Sequence, residues 1–231
     1  MHFHLPKPLH GWREFAGEVG IIVLGVLIAL AAEQVVETIH MRSETDAVRA
    51  SMRDELRNDR GRWEVTHAQY PCLIKWLDEL QNWTKSAPAG AVLKGVRRPD
   101  LWNAHVSTWE MARGSPAVAN MPLTERDALA SVYQALEIQQ QQATTSAGEA
   151  WINISALAQV ADEPQNRSAL RLAIVKGRES TDQLEYAYDY LQPRLAALGI
   201  TPDFSDLHLR AQNGSLIYFT ASNCPSATSG G

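Results

Sequence analysis

The chain has 231 residues, 45% of them hydrophobic, and a formal net charge of -5. That size suits one buried domain beside an anchor, and the acidic balance excludes a nucleic-acid binder, which needs a basic face. Its two cysteines, Cys72 and Cys224, form no CxxC pair, so a zinc finger or a thioredoxin-type motif is excluded as well.

The first element is the run EFAGEVGIIVLGVLIALAAEQ, residues 14–34. Its uncharged part lies between Glu18 and Glu33 and is shorter than the roughly 20 residues of a spanning helix. Extended to residues 15–36 it reaches about 33 Å, enough to cross a ~30 Å hydrocarbon layer. Glu18 and Glu33 then mark the two interfaces, and Trp12 is placed as an interfacial aromatic. Two other readings stay open. Lys7, Arg13, the apolar run and Ala29-Leu30-Ala31 fit a cleaved signal peptide. A buried soluble helix would need an apolar partner layer, and no other stretch is comparably apolar.

Within this run Glu18, Gly25 and Ala29 share a helix face. Gly25 and Ala29 form a small-xxx-small pair that lets two helices approach closely, and an ionisable Glu18 on that face is a candidate for a helix contact or a proton. Lys7 and Arg13 favour a cytoplasmic N-terminus, which would place the main domain in the periplasm of a Gram-negative cell. A Cys72–Cys224 disulfide is then permitted, closing a loop of about 150 residues worth about 3–5 kcal/mol in the chain-entropy model. Two unpaired buried thiols are the alternative.

The stretch GEVGIIVLGVLIALAAEQ, residues 17–34, resembles the membrane segment of an uncharacterised family of bacterial single-pass proteins. There a Gly-Glu-Ile/Val start leads through a Gly-containing apolar run to Ile-Ala-Leu and a long helix. The stretch STWEMARGSPAVANMPLTERDALASVYQAL, residues 107–136, is similar to that family's middle region. Ala31-Ala32-Glu33 departs from the amide and Trp residues usual there. The resemblance implies a single-pass anchor and no assigned activity.

Beyond the anchor, Val48, Met52, Leu56 and Trp63 continue a helical stripe, predicting one helix from the membrane to Tyr70. Arg49, Arg53, Arg57 and Arg60 alternate with acidic residues along it, a solvated mixed-charge face. Pro71 marks a bend before a helix carrying Leu73, Trp76, Leu77, Leu80 and Trp83. Residues 85–100 read as loop, and Asp100 is placed to cap a helix through Arg113 with Trp102, His105, Val106 and Trp109 on one side.

Thr124 and Asp127 suggest a capping box opening a long helix to Leu157, with Gln139 to Gln142 as a solvated turn. Leu170, Ile174, Gly177, Thr181, Leu184, Tyr188, Leu191, Leu195 and Leu198 follow a heptad seam, with Pro193 as a kink. Packing within the chain and an oligomer seam both fit that period, the former being expected. Asn213-Gly214 between two apolar runs predicts a hairpin.

The expected fold is mainly α. Residues 1–14 form a short arm, 15–36 the transmembrane helix, 37–70 a stalk continuous with it and 71–200 an antiparallel helical bundle. Residues 201–224 form a small C-terminal β-hairpin and 225–231 a disordered tail. No nucleotide, zinc-protease, hydrolase or calcium motif is present. His2, His4 and His10 lack further ligands, and His67 and His105 read as core or surface histidines, an approach to each other being the alternative. No cofactor, metal or catalytic residue is assigned, and the chain is not expected to be an enzyme. The expected partners are the lipid bilayer and a second copy or another membrane protein. The expected function is a membrane-anchored scaffold or accessory subunit. The alternatives are a periplasmic ligand sensor with a Trp-lined pocket and an ion-motive accessory subunit using Glu18.

Overall fold

The computed structural model describes residues 11–99, 101–205 and 224–228. They are mainly helical. Helix α1 (Trp12–His67) runs without a break for 56 residues, about 84 Å. No proline interrupts it, and its only interior glycine beyond the apolar run is Gly61. From Trp12 to His40 the described side chains are all exposed, so no part of this chain that is described covers the apolar run. From Thr45 onward one face is buried through Met52, Leu56, Asp59 and Trp63. The expected free stalk is therefore, over most of its length, the first helix of the bundle.

After a two-residue turn at Ala68 and Gln69, helix α2 (Tyr70–Ser86) starts with Pro71 in its first turn. There the missing N–H costs no hydrogen bond, so the proline opens a helix as well as ending one. Residues 87–99 and 101–106 then return along the bundle as irregular chain. Short helices α3 (Ser107–Ala112) and α4 (Pro116–Ala119) pack on α1. Thr45 donates to Ala117 O at 3.2 Å, which sets α4 at the end of the bundle nearest the apolar run. Helix α5 (Leu123–Gln141) leads through a π-helical turn, Gln142–Ala147, into α6 (Gly148–Ala158). Helix α7 (Pro164–Ala197) then runs back beside both.

Two cores lie end to end. One gathers α2, α6 and the first half of α7 around Leu77, Trp76, Trp151 and Ile174. The other gathers α1, α3, α4, α5 and the second half of α7 around Met52, Leu56, Tyr133 and Leu191. The α7 seam residues Leu170, Ile174, Gly177, Thr181, Leu184, Leu191 and Leu195 are buried within this chain, which removes them as an oligomer seam. A Cβ at Gly177 would lie 3.0 Å from Ile154 Cδ1 and 3.2 Å from Leu77 Cδ2, so the small residue lets three helices meet.

Three local expectations are corrected. The helix expected from Asp100 begins only at Ser107, and Asp100 itself lies outside the described residues. Gln139 is buried rather than solvated, because the turn after it docks on α7. The tail is not free at 225–228. Trp76 donates to Pro225 O at 2.8 Å, Glu79 accepts from Ala227 N at 2.7 Å, and Val96 and Thr228 form an isolated antiparallel bridge. That bridge is the only β pairing among the described residues. The expected hairpin falls mostly on residues 206–223, outside them.

The end of α7 closes on α1 through one glycine. Gly199, at φ 69°, lets Ile200 N–H reach Leu195 O at 2.9 Å and Gly199 N–H reach Ala196 O at 2.9 Å, a Schellman ending. The chain then passes so close to α1 that a Cβ at Gly61 would sit 1.9 Å from Asp203 O. Asp203 N–H donates to Arg57 O at 2.9 Å across that contact. In an open helix Gly→Ala stabilises by about 1 kcal/mol. Here Gly61→Ala is expected to destabilise by about 1–3 kcal/mol, because backbone must move. Thermal unfolding followed by circular dichroism checks the sign.

Candidate functional site

Three groups of residues stand out from the fold: the uncovered run on α1, a carboxylate pair higher on the same helix, and a groove between them. On the run, Glu18, Gly25 and Ala29 occur at seven- and four-residue steps, so one face carries all three. A Cβ at Gly25 would meet nothing within 4 Å, leaving that face open. By length and composition α1 is able to cross a membrane.

Higher up, Glu55 and Asp59 are one turn apart on the face of α1 that meets α3. Glu55 Oε2 accepts from Thr108 N–H at 3.0 Å, Thr108 Oγ1 at 2.9 Å and Ser107 Oγ at 2.9 Å. Its other oxygen accepts from Tyr133 Oη at 3.0 Å. A carboxylate at a helix N-terminus satisfies otherwise orphaned N–H groups and complements the helix dipole. That is why α3 starts at Ser107. Asp59 binds the chain two residues earlier, accepting from His105 N–H at 2.8 Å while its Oδ1 lies 2.9 Å from His105 Nδ1.

Asp59 is only 1% exposed. Burial, opposed by the His105 hydrogen bonds, pushes its carboxyl up to about 7. Burial and the neighbouring Glu55 also push the Tyr133 phenol up. A buried carboxyl raised toward neutral thus lies against an imidazole that is half exposed. None of the described cavities is lined by it.

The other expected residues are placed as follows. Cys72 and Cys224 are joined by a disulfide, with Cα atoms 5.5 Å apart, which ties the 224–228 segment to α2. His67 does not approach His105. It stacks on Tyr188 with ring centroids 3.6 Å apart, while His105 sits against Asp59 and Trp102. Among the described residues no three His, Cys, Asp or Glu side chains come together as a metal site. His2, His4, His10 and His208 lie outside them. Trp63, Trp76, Trp109 and Trp151 are core residues, and Trp83 and Trp102 pack at the edges.

The groove is one that the sequence does not announce. About 700 Å³ in volume, it lies between α1 and the end of α4, with Glu37, Met41, Arg42, Asp46, Arg49 and Asn120 among its walls. Arg49 is held there by Glu125, at 2.7 and 3.1 Å, and by Asp46 at 2.5 Å. Burial opposes but does not outweigh these partners, and its pKa is raised further, first of all by Glu125. Asn120 is 71 positions or more from every other wall residue, so only folding brings it in. No family model, curated protein or solved structure matches this chain.

Proposed function

We propose that the protein is a single-pass membrane-anchored helical bundle that acts as a scaffold or accessory subunit through protein–protein contacts. The observation that carries this reading is the apolar start of α1. Its large side chains are exposed on every face, including Ile21, Ile22, Leu24 and Ile28, and no described part of the chain covers them. Exposed apolar surface of that extent marks a membrane or partner interface. The length supports the former, because residues 15–36 match the hydrocarbon thickness.

In this reading the N-terminus is cytoplasmic, the bundle periplasmic and the membrane a bacterial inner membrane. Charge at Lys7 and Arg13 and the Cys72–Cys224 disulfide both support it. Membership of the single-pass family that residues 17–34 resemble is part of the same proposal. Self-association would use the Gly25 and Ala29 face, with Glu18 at its edge.

The full-length chain is expected to stay with membranes after alkaline carbonate extraction and to keep Met1 or its initiator-processed successor. Release into the supernatant, or a mature N-terminus at Ala32, would sink the anchor. Cysteines placed at Gly25 are expected to crosslink between copies in membranes, whereas a cysteine at Val26, on another face, is expected to crosslink poorly. Equal crosslinking at both would remove the self-association surface.

A further inference from the structure

The groove at the foot of the bundle sits where α1 leaves the apolar run. Its lowest wall residues, Gln34 and Glu37, flank Val36, the last residue of the spanning segment. Arg42 is six residues further on, about 9 Å along the axis. The headgroup layer adds roughly 5–7 Å on each side of the hydrocarbon core. An arginine side chain reaching down from Arg42 therefore enters that layer.

The charges in the groove are divided. Arg49 is already held by Glu125 and Asp46. Arg42 is exposed and makes no ion pair among the described residues. Its guanidinium is a free fork of donors of the shape that phosphate accepts. Asn120, exposed on the opposite wall, adds an amide. Glu37 is an exposed carboxylate one turn closer to the membrane, and the Asp46 side chain is still largely exposed beyond its bond to Arg49. These two suit a primary ammonium. Met41, half-buried between them, offers an apolar surface to the stem of the lipid.

We propose that this groove binds the headgroup of a zwitterionic glycerophospholipid carrying a phosphoethanolamine group, its phosphate on Arg42 and Asn120 and its ammonium on Glu37. The inference rests on the anchored reading above. Binding there would hold the bundle against the membrane at a fixed angle to the anchor, as a strut at the base of α4.

The full-length chain is reconstituted in nanodiscs of mixed phosphatidylethanolamine and phosphatidylglycerol, released into mild detergent, and its retained lipid counted by native mass spectrometry. One phosphatidylethanolamine is expected per chain. Loss of a charge-assisted phosphate contact in Arg42→Gln is expected to lower retention about tenfold or more, and Arg42→Lys to fall between. Glu37→Gln is expected to abolish the preference for phosphatidylethanolamine over phosphatidylglycerol. Arg42 is exposed and away from both cores, so the variants are expected to keep the wild-type circular dichroism spectrum. Equal retention in wild type and Arg42→Gln, in a chain that still resists carbonate extraction, overturns the groove and leaves the anchor standing. A chain that does not insert into nanodiscs at all overturns both.

Discussion

Trp76→Ala is expected to lower the stability of the bundle by about 3–5 kcal/mol, read as a large fall in the urea midpoint of the detergent-solubilised chain. Trp76 is fully buried on α2 and meets Trp151 edge to face at 6.1 Å between ring centroids. Its indole N–H donates to Pro225 O, so truncation empties the core and also leaves that part-buried carbonyl without its partner. Leu73, Leu77 and Ile174 belong to the same close-packed core where α2, α6 and α7 meet, which limits how far the site can collapse onto the hole. Trp76→Phe keeps most of the ring and loses the donor, so it is expected to cost less, about 1–2 kcal/mol. The pair of variants also separates two roles for the tryptophans. A tryptophan lining a ligand cavity would leave stability nearly unchanged on truncation and alter the response to apolar ligands instead. Near-wild-type stability in Trp76→Ala would therefore reopen the sensor reading.

The parts of this fold visible in the sequence are those set by local periodicity. Met52, Leu56 and Trp63 mark the buried face of α1, and the four- and three-residue steps from Leu170 to Leu195 mark that of α7. What local pattern does not carry is any feature made by groups far apart in the chain. The stretch before Ser107 has helical spacing in Trp102, His105 and Trp109, yet it is irregular because Asp59 and Glu55 cap the chain from another helix. Gln139 is polar and surrounded by polar residues, yet tertiary packing of the π-helical turn buries it. Gly61 resembles a weak point in a helix and is a contact point for Asp203. The groove fails to show for the same reason, since Asn120 completes a wall that α1 alone leaves open. The uncovered run is the opposite case. Nothing distant among the described residues packs on it, so Glu18, Gly25 and Ala29 keep the arrangement their spacing dictates.

Asp59→Asn is expected to make the bundle more stable than wild type above neutral pH, and to remove a pH dependence that wild type shows between about pH 4 and pH 7. The unfolded carboxyl titrates near 3.8 and the folded one near 7, the rise coming chiefly from burial. Between those values only the folded state holds the proton. More protons are then bound folded than unfolded, so stability falls as pH rises. The contribution is fully present below the unfolded value and lost as pH passes through the folded one. A difference of about three pH units corresponds to roughly 4 kcal/mol between the two limits. His105 and Glu55 are the titratable neighbours. His105 favours the carboxylate through its hydrogen bonds, while Glu55 on the next turn disfavours it. Asparagine mimics the protonated acid. Its carbonyl accepts from His105 N–H, and its amide donates to His105 Nδ1, with no charge to desolvate. The difference between variant and wild type isolates the Asp59 carboxyl together with its coupling to His105 and Glu55, because contributions from groups away from this site cancel. Urea midpoints measured at about pH 4.5 and about pH 8 are expected to diverge only at the higher value. A wild-type profile parallel to that of Asp59→Asn would mean that the buried carboxylate is held charged by His105 throughout. The loss of stability on ionising comes from burying the charge: the hydrogen bonds from His105 favour the carboxylate but do not offset its desolvation.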